Sequence, residues 1–301
     1  MKTSAPLRLL LFGAALAAVF GASVLAGGAV GPAPKADAEP AHADGAETDH
    51  AGASGHGADD TGHAGAASGA HEVRGLASSA DGLRLVVADP ELRRGRTERL
   101  AFRIVDEDGA TVRHFDVGHT KRMHVIVARR DLTGFQHLHP TQRAGGTFET
   151  SVRLPEAGSY RLFADFSRDG EPQTLASDLR VDGAVDLRAL PAAAPSAVSD
   201  GGYDVRLAST GAPPGEEAEL RFTITRDGKP VATEPYLGAG GHLVALREGD
   251  LAFLHVHPTN EAGTSEIGFA ATFPTAGRYR LFLQFQHDGA VQTVAFTQEV
   301  R

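Results

Sequence analysis

The chain has no cysteine, no tryptophan and only two methionines among its 301 residues. Without thiols there can be no disulfide framework, thiolate zinc site, iron–sulfur cluster, thiol catalysis, blue-copper centre or lipid-modified cysteine. The scarcity of Met argues against a thioether-rich carrier of cuprous ion. Positive charge is also short. The 29 basic and 38 acidic residues leave a net charge of −9, which argues against a general nucleic-acid binder. No Ser-nucleophile motif, phosphate loop or recognisable pair of carboxylates is present. What the chain does have in quantity is imidazole, fourteen histidines in all.

Residues 9–26 read LLLFGAALAAVFGASVLA, an unbroken apolar and small-residue run behind Lys2 and Arg8. Its length lies on the border between a signal h-region and a spanning helix. Val24-Leu25-Ala26 and Ala36-Asp37-Ala38 are small-residue cleavage candidates, so residues 1–26 read either as a signal peptide or as an uncleaved membrane anchor. In both cases the positive end stays inside, and the expectation is an extracytoplasmic protein, secreted or anchored to the cell membrane. Residues 27–75 are rich in Gly, Ala, Asp and His and poor in bulky apolar residues, the composition of a disordered linker. His42, His50, His56, His63 and His71 punctuate it, either as weak metal scavengers or as incidental residues of a soluble spacer.

From about residue 80 the texture is that of an all-β protein, with short apolar runs separated by Gly, Pro and Asp turns at roughly ten-residue spacing. Strands are expected over residues 83–88, 99–105, 124–128, 135–139, 147–154, 159–166 and 175–181. Residues 186–202, rich in Pro and Ala, read as a linker. Then the pattern repeats. His124, Arg129, Phe135, His137, His139 and Pro140 recur as His242, Arg247, Phe253, His255, His257 and Pro258. Tyr160, Phe163 and Phe166 recur as Tyr279, Phe282 and Phe285. The expected architecture is two tandem immunoglobulin- or cupredoxin-like β-sandwich domains, residues 76–185 and 203–301. Asp108-Gly109, Asp169-Gly170, Asp227-Gly228 and Asp288-Gly289 read as hairpin turns. Tyr160 and Tyr279 read as corner tyrosines, and Arg129-Arg130 as a solvated turn.

The histidines recur with the repeat. A symmetric hairpin centred between Arg130 and Asp131 sets His124 opposite His137, with His139 on the same face. The second copy gives the same arrangement for His242, His255 and His257. Three imidazoles at that spacing suit a zinc or copper ion, and the prolines that end each strand place the third histidine at a sheet rim. The six histidines are therefore the candidate metal ligands, one site per copy. A fourth ligand is open among His119 and Met123 in the first copy, with Asp116, Asp165 and His114 as weaker options, and His287 in the second. The opposing reading is that these are structural histidines at the edge of a core, since Ile126, Phe135, Val244 and Phe253 share the same face.

The blocks His119-Thr-Lys-Arg-Met-His124, Phe135-Gln-His-Leu-His-Pro140, Tyr236-Leu-Gly-Ala-Gly-Gly-His242 and Leu254-His-Val-His-Pro258, with Phe285-Gln-His-Asp-Gly289, resemble a group of secreted or membrane-anchored proteins of high-GC bacteria. That group carries duplicated H-x-H-P sandwich domains. The resemblance covers about residues 80–301 and extends, distantly, to the YtkA-like and CopC-like immunoglobulin-type modules of extracytoplasmic metal handling. Together with the histidine clusters it leads to the expectation of copper or zinc binding for sequestration or delivery, not turnover, with an envelope metal-transport protein as a partner; the apolar run of residues 9–26 adds the expectation of a membrane contact. The alternatives are a surface interaction module whose histidines are structural, and a metal-dependent enzyme.

Overall fold

Alternating apolar and polar residues place every second side chain on one face of an extended strand, and such faces must be buried in pairs. The computed structural model describes residues 73–254 and 256–301, without the side chain of His257. Residues 1–26, read above as a signal peptide or anchor, the His-rich residues up to 72, and His255 lie outside the described residues. All regular structure among the described residues is β.

The first copy comprises β1 (Ser79–Ala80), β2 (Leu83–Val87), β3 (Glu91–Leu92), β4 (Thr97–Val105), β5 (His124–Arg129), β6 (Gln136–Leu138), β7 (Thr141–Gln142), β8 (Phe148–Arg153), β9 (Gly158–Arg168) and β10 (Glu171–Val181). They form two sheets in the orders β1-β2-β4-β8-β7 and β3-β10-β9-β5-β6. The second copy comprises β11 (Ser196–Val198), β12 (Asp204–Ser209), β13 (Glu217–Arg226), β14 (Lys229–Pro230), β15 (His242–Arg247), β16 (Phe253–Leu254), β17 (His257–Pro258), β18 (Glu266–Thr272), β19 (Gly277–His287) and β20 (Ala290–Val300). Its sheets run β11-β12-β13-β18-β17 and β16-β15-β19-β20, with β14 beside β13. The all-β tandem architecture is the one the sequence pattern predicts.

Each sandwich closes over its own core. Leu100, Phe102, Ile104, Val125, Val127, Phe148 and Leu162 fill the first, and Leu220, Phe222, Ile224, Leu243, Ala245, Phe269 and Leu281 the second. Both corner tyrosines are buried. Tyr160 donates its hydroxyl to the Glu156 carbonyl at 2.9 Å, and Tyr279 to the Thr275 carbonyl at 2.8 Å.

Three sequence expectations need correction. The stretch read as a linker contains β11, which pairs with β12 and begins the second sandwich at Ser196. Asp169-Gly170, Asp227-Gly228 and Asp288-Gly289 are two-residue turns with both residues in left-handed backbone, whereas at Asp108-Gly109 only Gly109 is, in a longer loop. Arg129 is not solvated. It is 1% exposed, pairs with Glu156 and Asp131, and donates to the Asp186 carbonyl, tying the hairpin to the corner.

A third apolar layer lies between the two sandwiches. Ile126, Ala128, Phe163 and Ala176 from the first copy meet Val244, Leu246, Phe253 and Phe282 from the second. Strand β5 is therefore buried on both faces, with Val125 and Val127 in its own core and Ile126 and Ala128 in the shared layer. The aromatic contacts are reciprocal. Phe163 meets Phe253 with ring centroids 5.6 Å apart, and their repeat counterparts Phe282 and Phe135 stack at 4.1 Å. Exchanging the two copies maps one contact onto the other, so the shared layer has an internal two-fold relation, as in an isologous dimer.

Residues 74–77 strap the layer. The Phe253 N–H donates to the Arg74 carbonyl at 3.0 Å, and the Ala176 N–H to the Ala77 carbonyl at 2.8 Å. Between them Gly75 has φ +70°, and a Cβ there would lie 2.8 Å from both Phe163 and Phe253. Only glycine fits this passage.

Candidate metal centre

The β5–β6 hairpin pairs Ile126 with His137 and Val125 with Leu138. His137 is thus displaced by two residues from the expected partner, His124. The loop closes further along than a symmetric turn at Arg130-Asp131 would, through Leu132 (φ 63°) and Gly134 (φ 63°) in left-handed backbone. An odd slip would have sent the histidines to opposite faces, whereas an even one keeps them together. The second hairpin shows the same displacement, pairing Ala245 with Leu254 and Leu246 with Phe253.

The structure adds a neighbour that the sequence reading did not foresee: His242 of the second copy joins the histidines of the first. His255 and the side chain of His257 lie outside the described residues. One ligating atom each from His124, His137 and His242 lies within 4.8 Å of the other two. His124 and His242 are repeat counterparts, and their rings stack with centroids 5.7 Å apart and planes 7° apart. They flank the two-fold axis of the shared layer. His139 packs edge-on against His124 at 5.0 Å and approaches His137 at 4.7 Å. His119 reaches both His124 and His242 at 6.1 Å. Imidazoles sharing a tetrahedral ion at the usual metal–nitrogen distance have centroids about 5 Å apart. The observed spacings bracket that value.

The remaining candidates lie elsewhere or are undescribed. Met123, 2% exposed, belongs to the first sandwich core and so points away from His124. His287 is held by the Tyr203 hydroxyl at 2.8 Å and lies 3.3 Å from Asp288. His257 contributes backbone to β17, opposite Ala270.

Two of the rings meet a second partner through their other nitrogen. His124 Nε2 lies 3.1 Å from the Gly118 carbonyl, which can only accept, so that nitrogen carries the proton. His137 Nδ1 lies 2.7 Å from Gln284 Oε1. The Gln284 amide also meets Thr293 Oγ1, at 3.1 Å. His124 Nδ1 and His137 Nε2 face each other at 3.1 Å. For metal–nitrogen bonds of 2.0–2.1 Å, the edge of a coordination tetrahedron is about 3.3–3.4 Å. Only a small adjustment separates the two nitrogens from that spacing. Ligating histidines characteristically hold a second partner through their other nitrogen, and the other nitrogens of both rings meet one here.

The Gly118 carbonyl sits on a strained turn. Gly118 and Lys121 exchange two backbone hydrogen bonds around His119 (φ 47°) and Thr120 (φ 66°). Left-handed backbone at a β-branched residue is costly. The repeat counterpart turn, Tyr236 to Ala239, carries Leu237 and Gly238 at those positions. His119 is therefore an imidazole that only the first copy supplies.

Electrostatics favour neutral rings. Burial lowers His137 to about 3, with the charges of His124 and His139 acting in the same direction and the Gln284 bond opposing them. Burial likewise lowers His139 to about 4, helped by His124 and Lys121. Asp165, opposite His124 in the β5–β9 register and bonded by Thr174 Oγ1 at 2.7 Å, has its carboxyl raised by burial. A cation beside it would relieve that penalty. The two histidines have folded values below the ordinary 6.5, so the unfolded chain takes up their protons first. Metal-free protein should lose stability as the pH falls below about 6.5, by up to ~1.4 kcal/mol per pH unit for His137 and less for half-buried His139. Urea midpoints at pH 7.5 and 5 in the presence of chelator measure this, and equal midpoints would contradict the burial of neutral rings.

The two-fold layer was missed by the sequence reading, although a signal existed. HVIVA and HLVAL are continuous apolar runs, the pattern of strands covered on both faces.

One family model matches residues 78–183 and again residues 196–301. No curated protein matches the chain. Similar solved structures include FdeC, a broadly conserved Escherichia coli adhesin, at 16% identity over 74% of this chain, with TM-score 0.26. The match spans 65% of the adhesin chain. A chimeric titin Z1Z2 matches at 14% identity over 72% of this chain and 96% of its own, with TM-score 0.20. Domains 4 and 5 of the S-layer protein SbsC match at 11% identity over 72% and 96%, with TM-score 0.22. TM-scores this low carry no argument about this chain. The two segments matched by the family model make up more than half of its length, and the chain belongs to the family described as Domain of unknown function (DUF8832), in two tandem copies.

Proposed function

We propose that this protein binds a divalent transition metal, copper or zinc, at one composite centre built by both copies of the repeat. The observation that carries this reading is the convergence of one ring nitrogen each from His124, His137 and His242 within 4.8 Å, with His124 and His137 each meeting a further partner, the Gly118 carbonyl and Gln284 Oε1, through the other nitrogen. His139 and His119 complete a nest of five imidazoles. Nitrogen ligands without sulfur suit zinc or cupric ion. His255 and His257 remain proposed ligands on the strength of the repeat alone. The protein would act outside the cytoplasm, secreted or tethered by residues 9–26, with the His-rich segment raising the local metal concentration. It would sequester or deliver the ion, to an envelope metal-transport protein in the second case, without turnover. This agrees with the distant resemblance to YtkA-like and CopC-like modules.

The test is chelator competition with Cu²⁺ and Zn²⁺ on residues 73–301, which hold all three apolar layers and leave out the His-rich segment. Dissociation constants below about 10 μM are expected, and weaker binding of both ions would contradict the reading. Gln284→Leu should weaken the binding roughly 10- to 100-fold, by releasing the His137 ring from its acceptor, while the fold is kept. An unchanged affinity in the folded variant would show that the His137–Gln284 bond is unrelated to metal.

A further inference from the structure

We infer that His119 sets the choice of metal at this centre, as a fifth and more distant imidazole that a cupric ion uses and a zinc ion leaves. This rests on the metal-binding reading and deepens it by naming the ion. The first reason is distance. The rings of His124, His137, His139 and His242 approach one another at 4.6 to 5.7 Å between centroids. His139 Nε2 is buried and has no hydrogen-bond partner among the described residues, as suits a nitrogen kept for an ion. Four such ligands complete a zinc site. His119 stands farther off, 6.1 Å from His124 and 6.1 Å from His242. That is longer than the spacing of about 5 Å for imidazoles sharing a tetrahedral ion. Cupric ion favours a tetragonal set, and copper sites accept a further ligand held weakly at longer range.

The second reason is direction. His124 and His242 stack with planes 7° apart. His119 is edge-on to both, at 76° and 82°. Its equal separation from the two rings puts its centroid on the plane midway between them. It therefore caps the pair from one side and belongs to neither ring more than to the other.

The third reason is the backbone that holds it. Gly118 and Lys121 close the turn with two bonds at 2.9 and 3.0 Å, and His119 and Thr120 between them are both left-handed. The Gly118 carbonyl of the same turn meets His124 Nε2, so one strained loop positions two of the imidazoles. The counterpart turn of the second copy lies beside it, where a Cβ on Gly238 would be 3.7 Å from the Thr120 methyl. That turn keeps the left-handed backbone with Leu237 in place of the histidine, at φ 55°. The turn thus forms without an imidazole, and the ring of His119 is free to serve the centre.

The experiment compares residues 73–301 of the wild type with His119→Leu, the residue that the counterpart turn carries in the same backbone. His119→Asn, which tolerates left-handed backbone, is the second variant. Cu²⁺ and Zn²⁺ affinities are measured separately by chelator competition, with circular dichroism as the fold control, and the cupric forms are compared by electron paramagnetic resonance. Cupric affinity should fall on the order of tenfold in both variants, zinc affinity should change less than about threefold, and the cupric signal should change shape. Equal losses for the two ions, or a cupric signal identical to that of the wild type, overturn the role of His119 and leave the metal-binding reading standing. A wild type that binds neither ion overturns both.

Discussion

Replacing His124 and His137 together by Ala is expected to lower the affinity of residues 73–301 for Zn²⁺ and Cu²⁺ by more than about 100-fold, beyond the cost of losing a ligand's hydrogen-bonding partner. The two nitrogens that face each other at 3.1 Å are removed, and His242 and His139 are left without a common focus. The fold should survive. Neither sandwich core uses these rings, and the metal-free variant no longer has to bury two imidazoles. Chelator competition with far-ultraviolet circular dichroism as the fold control measures this. Retained affinity in a folded double variant would mean that the histidines are structural and that any metal binds elsewhere.

Phe282→Ala is expected to produce the second large effect, on stability. Phe282 is 4% exposed and stacks on Phe135 across the shared layer, with centroids 4.1 Å apart. Truncating a buried Phe typically costs 3–5 kcal/mol, about the loss that urea unfolding should register here. The variant also separates two ideas about the centre. Phe282 stacks on Phe135 and so helps to hold the copy that supplies His242 against the copy that supplies the rest. Domain pairing and metal binding are then linked, and by reciprocity each strengthens the other. Phe282→Ala should therefore weaken metal binding, and added Zn²⁺ should recover part of the lost stability. Destabilisation with metal affinity untouched would mean that the first copy binds alone.

Much of this fold is legible in the sequence because the cues are local. The Asp-Gly turns, the Val- and Phe-rich runs and the Pro-x-Ala-Gly-x-Tyr corners each fix a strand end or a corner through neighbouring residues, and β2, β4, β8, β9 and β10 fall where they predict. The site is less legible. The parity of His124, His137 and His139 follows from strand alternation and holds. Their register depends on a loop that closes through left-handed Leu132, a conformation that no residue preference would have assigned to leucine. The gathering of imidazoles from both copies depends on the packing of one sandwich on the other. That packing is non-local, and its trace in the chain is the two-sided apolarity of β5 and β15 together with a glycine at position 75. Arg129 illustrates the same limit. Its sequence neighbours are those of a solvated turn, and only the tertiary approach of Glu156 and Asp186 buries it.

The central claim is that the metal centre is shared between the two copies, and His242 tests it most directly. Among the described residues, its ring is the one from the second copy that lies among those of the first. Zinc binding to residues 73–301 should be measured by chelator competition for the wild type and for His242→Ala. A shared centre predicts that this one substitution weakens all of the metal binding, including the share carried by His124, His137 and His139. If one set of sites keeps its wild-type affinity in His242→Ala, the two copies bind independently and the composite centre does not exist.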